Sequence, residues 1–323
     1  MRPEPLIKAI IVIAVFLGLA AAGPGAVCAD ELRIGTWKTA QTIAPFYYGD
    51  FVSKKDKINV YPFTNPADQK NALLAGSLDM CGTTVAHAIH SSSMGQPVVM
   101  VAALCNKCSA LVVRKNAGIE TVADLKGKRI GYVPGTMHEI LLRETLSRSG
   151  LSVKTDVSLM RIDFFDMGLA LSRGSIDAFL SGEPFPAQAV ENGYGKILAY
   201  PYYDEAVGDI NAGMLVTRDF AQKHPQKVQK MVTAHARATR HLARHPDQWL
   251  TRASKFGTQK AILEKAEANM ELAWDMDAVF VSRVKALGER MQALGMIRRQ
   301  PDYKELIDLS FVRQARKEIS PDE

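Results

Sequence analysis

The stretch DLKGKRIGYVPGTMHEILL, residues 124–142, orders a basic turn, a short apolar strand, a glycine loop and a helix. Pro134 and Gly135 end the strand at Val133, Thr136 stands at the N-cap, and Glu139 three residues on matches a capping box. This order sets backbone N–H groups and a helix N-terminus just beyond the carboxyl end of a strand, which suits a small polar or anionic ligand. The same residues also suit a strand-to-helix connection that holds nothing, so the segment decides the layering of the fold before it decides a site.

Outward from this stretch the chain alternates. Apolar runs at 32–36, 58–61, 78–81, 98–102 and 111–114 read as strands, with helical patterns at 44–53, 66–75 and 85–92 between them. Beyond Lys115 a second set begins, with strands at 129–133, 158–162, 178–180 and 197–199 separated by helices at 138–149, 164–173 and 186–192. Such alternation predicts an α/β fold of two lobes, the first with a mostly parallel sheet. One more strand is expected at 213–217, after which the chain reads as helical almost to its end. Phe280, Val284, Leu287, Met291 and Leu294 form one stripe at four-then-three spacing. Pro225 opens an earlier helix, and Pro246 ends it or starts the next. These helices are expected to return over the first lobe. No internal repeat of fixed short period is apparent.

The N-terminus carries Arg2 and Lys8, an apolar run at 9–22, and small residues ending Val27-Cys28-Ala29. The run is short for a bilayer span and has the layout of a secretory signal peptide cleaved after Ala29. Gly25, Ala26 and Val27 lack the Leu and final small residue that a lipid-anchoring Cys28 usually follows, so a lipid anchor is the lesser expectation. Roughly 290 mature residues fit two lobes better than one. The formal charge of +6 is spread among acids, which argues for solvated helix faces rather than a nucleic-acid groove. Cys81, Cys105 and Cys108 remain after cleavage, an odd count in a compartment that favours disulfides.

Five ordered pieces carry a resemblance: LLAGSLDMCGTTVAHAI at 73–89, GQPVVMVAAL at 95–104, the 124–142 stretch, LSRGSIDAFLSGEPFPAQAVENGYGKIL at 171–198, and GMLVTRDFAQKHPQKVQKMV at 213–232. In this order they resemble solute-binding proteins of ABC importers, in the branch that includes nitrate, sulfonate, taurine and thiamine-precursor binders. The helical tail through PDYKELIDLSF at 301–311 is similar too. The resemblance implies a periplasmic-binding-protein fold: two α/β lobes joined by two crossover strands, here near 111–114 and 211–216, with a ligand cleft between them. Residues 1–29 are then the signal peptide, 30–113 and 212–323 the first lobe with its C-terminal helices, and 114–211 the second lobe. The implied partners are a small-molecule solute and the permease of an ABC importer, with a monomeric periplasmic protein meeting the membrane through that transporter. No nucleic acid and no resident cofactor are expected. No nucleophile elbow, Walker pattern or His-Glu zinc-protease pair is present in the sequence, so no enzymatic activity is expected.

In open α/β sheets the ligand sits outside the carboxyl ends of the strands. The candidates are Trp37, Thr39, Gln41 and Thr42 after the first strand, Cys81, Thr83 and Thr84 after the third, and Cys105 and Cys108 after the fourth. The second lobe adds Gly135, Thr136 and His138, then Asp163, then Glu183 with Phe185. Each has a duller reading. The threonines cap helices regardless of ligand, and Trp37 serves equally as stacking platform or core. His138 matches a position where the resembled proteins often carry histidine, and it also reads as an ordinary helix-face residue. Glu183 falls in that family's Glu-Pro or Asp-Pro segment, where it bonds ligand or holds the hinge.

The cysteines depart from the family pattern. Cys81, Cys105 and Cys108 are expected at one edge of the first sheet, facing the cleft. They read either as a disulfide with a spare thiol or as a soft-metal site for copper(I), zinc or trivalent arsenic. Met80, Met94, Met100 and Met137 could assist copper, or simply pack. The leading expectation is capture of a small polar or anionic solute for an ABC importer, and the alternative is a soft-metal or arsenite receptor. Thiol oxidoreductase chemistry at Cys105 and Cys108 lacks a thioredoxin-like setting.

Overall fold

The computed structural model describes residues 31–202 and 206–319. The expected signal peptide and Cys28 lie outside the described residues. Among the described residues the strands run β1 Glu31–Trp37, β2 Lys57–Phe63, β3 Met80–Thr84, β4 Val98–Lys107, β5 Ser109–Arg114, β6 Arg129–Tyr132, β7 Ser158–Arg161, β8 Ala178–Gly182, β9 Gly195–Ala199, β10 Ile210–Thr217 and β11 Met270–Leu272. They form two sheets, ordered β11-β4-β10-β3-β1-β2 and β7-β6-β8-β5-β9. The helices are α1 Pro66–Leu74, α2 Val85–Ser93, α3 Met137–Arg148, α4 Phe164–Ser172, α5 Phe185–Glu191, α6 Arg218–Lys223, α7 Pro225–Arg244, α8 Pro246–Ser254, α9 Lys260–Ala266, α10 Ala278–Ala293, α11 Tyr303–Leu306 and α12 Ser310–Glu318. The segment read as a helix at 44–53 is a 3-10 helix, Ala44–Asp50.

The two lobes repeat one device. Gly76-Ser77-Leu78-Asp79 leads into β3, and Gly174-Ser175-Ile176-Asp177 leads into β8. In each, the glycine takes a left-handed φ, +74° at Gly76 and +70° at Gly174, and so ends the preceding helix. The serine N–H then returns to that helix, Ser77 to the Ala72 carbonyl and Ser175 to the Ala170 carbonyl, both at 2.9 Å. The aspartate reaches the first residues of the neighbouring parallel strand. Asp79 accepts from the Arg33 backbone N–H at 2.8 Å and from its Nε and Nη2 at 3.2 and 2.8 Å. Asp177 does the same with Arg129, at 3.0 Å for all three bonds.

The first sheet is mixed rather than mostly parallel. β1 pairs in parallel with β2 and β3, whereas β10 runs antiparallel to both β3 and β4, and β11 antiparallel to β4. Topology requires this. β4 carries the chain out of the first lobe and β10 carries it back, so two neighbouring crossovers must point opposite ways. The outward change of sheet falls at Cys108, between β4 and β5, ahead of the expected 111–114, and the returning strand β10 contains the expected 211–216. Residues 109–113 thus belong to the second sheet and Asn211 to the first.

β4 is buried from Val98 to Cys105, as a central strand covered on both faces should be. The returning helices cover the first sheet. His235 of α7 points Nε2 at the Ala103 carbonyl, 2.7 Å away, and Trp249 of α8 donates its indole N–H to the Ala40 carbonyl at 2.7 Å. The second bond ties the C-terminal helices to the turn that follows β1.

Replacing Asp177 with Asn should lower the unfolding free energy by about 2 kcal/mol in urea titration, since the bonds lost are charge-assisted but Arg129 is partly in solvent. Arg129, by hydrogen bonding first and charge second, holds the Asp177 carboxyl below the usual range, with Arg114 assisting. Its contribution is therefore complete above the ordinary carboxylate range and is lost as pH falls through the lowered folded value. Asp177→Asn should lack that acid limb.

Candidate functional site

Where the chain leaves the first lobe, Lys107 and Cys108 adopt left-handed φ values of 56° and 73°, uncommon for residues with a Cβ. Side-chain amides hold the kink. Asn211 Nδ2 donates to the Lys107 carbonyl at 2.8 Å and lies 3.3 Å from Cys108 Sγ, and Asn269 Nδ2 donates to the Ser109 carbonyl at 3.2 Å. From the second lobe, the Glu183 N–H donates to the Cys108 carbonyl at 2.8 Å.

Around this kink lies a cavity of about 40 Å³ walled by both lobes. Trp37, Thr39, Gln41, Thr42, Thr84, Cys105, Asn211 and Ala212 come from the first lobe, His138, Phe164, Phe165, Gly182, Glu183 and Phe185 from the second, and Cys108 from the junction. The turn after β1 is rigid: Thr42 Oγ1 donates to the Trp37 carbonyl at 3.0 Å and meets Thr39 Oγ1 at 2.8 Å. Gln41 Nε2 crosses to the Glu183 carbonyl at 2.6 Å. Phe165 stacks edge-on against Phe185 with centroids 4.8 Å apart and remains 39% exposed, so it stands at the mouth.

Charge is suppressed here. Burial lowers the His138 imidazole to about 4, with Nδ1 3.1 Å from Ser109 Oγ, so the ring is neutral at pH 7. Burial pushes the Glu183 carboxyl up to about 7, against the opposing pull of hydrogen bonds from the Ala187 N–H and Asn269. Burial also raises Cys105 to about 12 and Cys108 well above its ordinary value, so both thiols keep their protons.

Ten of the fifteen residues expected to face ligand line this cavity, and five do not: Cys81, Thr83, Gly135, Thr136 and Asp163. Cys81 is fully buried within β3, paired with β1 and β10. Thr83 donates its hydroxyl to the Pro66 carbonyl, and Asp163 accepts from Asn65 Nδ2 at 3.0 Å. The glycine loop spends its polar groups internally. Gly135 N–H goes to Glu139 Oε2 at 2.6 Å, and Thr136 Oγ1 caps Glu139 N–H while donating to the Val133 carbonyl. His87 of α2, from the opposite lobe, covers this loop and hydrogen-bonds the Pro134 carbonyl. Its Nδ1 is unpartnered, which assigns that bond to Nε2. Thr84 caps α2 and also lines the cavity. The expected convergence of three thiols is corrected: all three cysteines are free, Cys81 lies away from the cavity, and among the described residues no group of three His, Cys, Asp or Glu is placed to hold a metal. The sequence reading missed Phe164, Phe165, Gly182, Asn211 and Ala212. Phe164 and Phe165 directly follow Asp163, so the end of β7 was the right place but the wrong residue.

Two sheets exchanging two crossovers around a shared cavity define the fold of the periplasmic binding proteins, and solved structures share it. Residues 56–249 match the NMT1/THI5-like family, and the chain belongs to that family. The alkanesulfonate-binding protein SsuA from Xanthomonas axonopodis pv. citri, in a structure bound to MOPS, superposes with a TM-score of 0.77 at 22% identity, covering 86% of this chain and 98% of that one. A protein of Escherichia coli K12 named for binding aliphatic sulfonates is 26% identical over 65% of this chain and 66% of its own length. The 4-amino-5-hydroxymethyl-2-methylpyrimidine phosphate synthase of Schizosaccharomyces pombe is 27% identical over 57% of this chain and 56% of its own length. The matches thus span less than two thirds of these two relatives.

A Cβ at Gly135, which has φ +73°, would fall 2.7 Å from His87 Nε2. Gly135→Ala should therefore hold the lobes apart, seen as a larger radius of gyration in solution scattering, and His87→Ala in the same chain should restore part of the closure. The site also sets a pH profile. His87, His138 and His235 are each lowered to about 4, chiefly by burial, so they favour the fold at neutral pH and destabilise it as pH falls from their ordinary value toward about 4. Glu183 acts oppositely, costing stability as pH rises through about 7. Glu183→Gln should remove the loss of urea midpoint that Glu183 contributes between its ordinary carboxylate range and about pH 7, and leave the histidine limb in place.

Proposed function

We propose that this chain is an exported solute-binding protein, which captures a small polar solute between its lobes and hands it to the permease of an ABC importer. The observation that carries this reading is the cavity itself, walled by both lobes at the point where the chain crosses between them. A solute held there contacts both lobes only when they are shut, so its affinity is coupled to a shape that a permease can read. Both cavity thiols are protonated and no activated nucleophile adjoins them, which favours retention over reaction. The signal-peptide layout of residues 1–29 supports a periplasmic location, and the E. coli relative is named for sulfonate binding. No helix among the described residues is long and apolar enough to cross a membrane. In this reading the protein acts as a monomer and meets the membrane through the transporter.

Thermal-shift screening of protein unfolded and refolded to strip carried-over ligand tests the proposal. A solute at a hundred times its dissociation constant should add about 2.7 kcal/mol of stability. Absence of any shift across inorganic anions, sulfonates, amino acids, pyrimidines and dicarboxylates would sink it.

A further inference from the structure

We infer that the cavity selects an uncharged solute, one that offers a hydrogen-bond acceptor to the Trp37 indole N–H and a donor to the Gln41 side-chain Oε1, in preference to a sulfonate or nitrate. The inference rests on the solute-capture reading and names the ligand class of that site. Its first support is a pair of orphaned atoms. Trp37 Nε1 and Gln41 Oε1 belong to cavity-lining side chains, are buried, and have no partner. Buried polar atoms are nearly always satisfied, so two at one cavity, one a donor and one an acceptor, mark where a guest bonds. The Gln41 orientation is fixed by its neighbour: the bond to the Glu183 carbonyl needs an N–H, so that end is Nε2 and the free end is oxygen.

The second support is charge. Among the described residues no lysine or arginine lines the cavity, and the one carboxyl that does is that of Glu183. Of the helix N-termini at the cavity, the other common source of anion stabilisation, those of α2 and α5 already bond acceptors of the chain, whereas α4, which opens with Phe164 and Phe165, carries no side-chain cap. Thr84 caps α2, and Glu183 accepts from the Ala187 N–H in the first turn of α5. An anion would enter an aromatic enclosure with no lining cation to compensate its lost hydration, beside a carboxyl that gains like charge as pH rises. The walls suit a planar guest, with Trp37 on one lobe and Phe164, Phe165 and Phe185 on the other.

Calorimetric titration of stripped protein with acetamide, 2-pyridone and 4-aminopyrimidine, against nitrate, methanesulfonate and taurine, is the test. Binding by at least one of acetamide, 2-pyridone and 4-aminopyrimidine, tighter than nitrate, methanesulfonate or taurine and changing less than about threefold between about pH 6 and pH 8, is expected. Trp37→Phe keeps an aromatic ring but loses the donor, and should weaken that binding at least tenfold while the free variant stays folded. If Trp37→Phe is itself unstable, the pH series on the wild type decides. Tighter binding of nitrate or a sulfonate, weakening as pH rises, overturns the inference while solute capture stands. Binding by neither panel, together with a blank wide screen, overturns both.

Discussion

Each lobe is anchored by one carboxylate that closes three hydrogen bonds on one arginine. Because Asp79 takes both the backbone N–H and the guanidinium of Arg33, the start of β3 cannot slide along β1, and Ile34 stays opposite Met80 with Gly35 opposite Cys81. A slip of one residue would turn every side chain of the strand to the other face. Asp177 imposes the same constraint on β6 and β8, where Ile130 faces Ala178. The consequence appears at the far ends of these strands. Trp37 and Thr84 arrive together on one side of the cavity, His138 and Glu183 on the other, because the strands that carry them are pinned at their beginnings.

The junction between lobes works by a different balance. Two consecutive non-glycine residues in the left-handed region cost of order 1–3 kcal/mol each. The amide of Asn211, the amide of Asn269 and the Glu183 N–H offset that cost by bonding Lys107, Cys108 and Ser109 along the kink. These donors come from both lobes, so the kink is held most firmly when the lobes are together. Glu183 is central: its N–H, carbonyl and carboxylate each bond a different segment, Cys108, Gln41 and Asn269.

The element order was legible because apolar periodicity and turn residues are local properties. Residues 124–142 do form turn, strand, loop and helix in sequence, with Thr136 and Glu139 capping as their spacing demands. What the loop does was not legible, since its partner, His87, belongs to the opposite lobe. The same limit explains the cysteines. Cys81 and Cys105 sit near the ends of strands of one sheet, but only coordinates show that Cys81 is enclosed by β1 and β10 while Cys105 reaches the cavity. The antiparallel pairing of β10 is not legible in sequence because β4 and β10 look alike whichever way they run. The Gly-Ser-Leu-Asp and Gly-Ser-Ile-Asp repeat was readable and went unread, being only a few residues long in otherwise dissimilar lobes.

The contacts that shut the lobes are of unequal strength, and this bears on how a guest can control them. Lys265 with Glu191 and Asn65 with Asp163 are solvent-facing, worth about 0–1 kcal/mol each. Arg290 Nη1 lies 2.9 Å from both oxygens of Glu144, a less exposed pair between α10 and α3. Such rim pairs select a closing geometry more than they drive closure. The cavity behind them is mostly apolar and its titratable groups are held near neutrality, so opening it to water gains little hydration of charge. On the proposed reading, a solute that bonds both lobes would supply differential affinity for the closed arrangement.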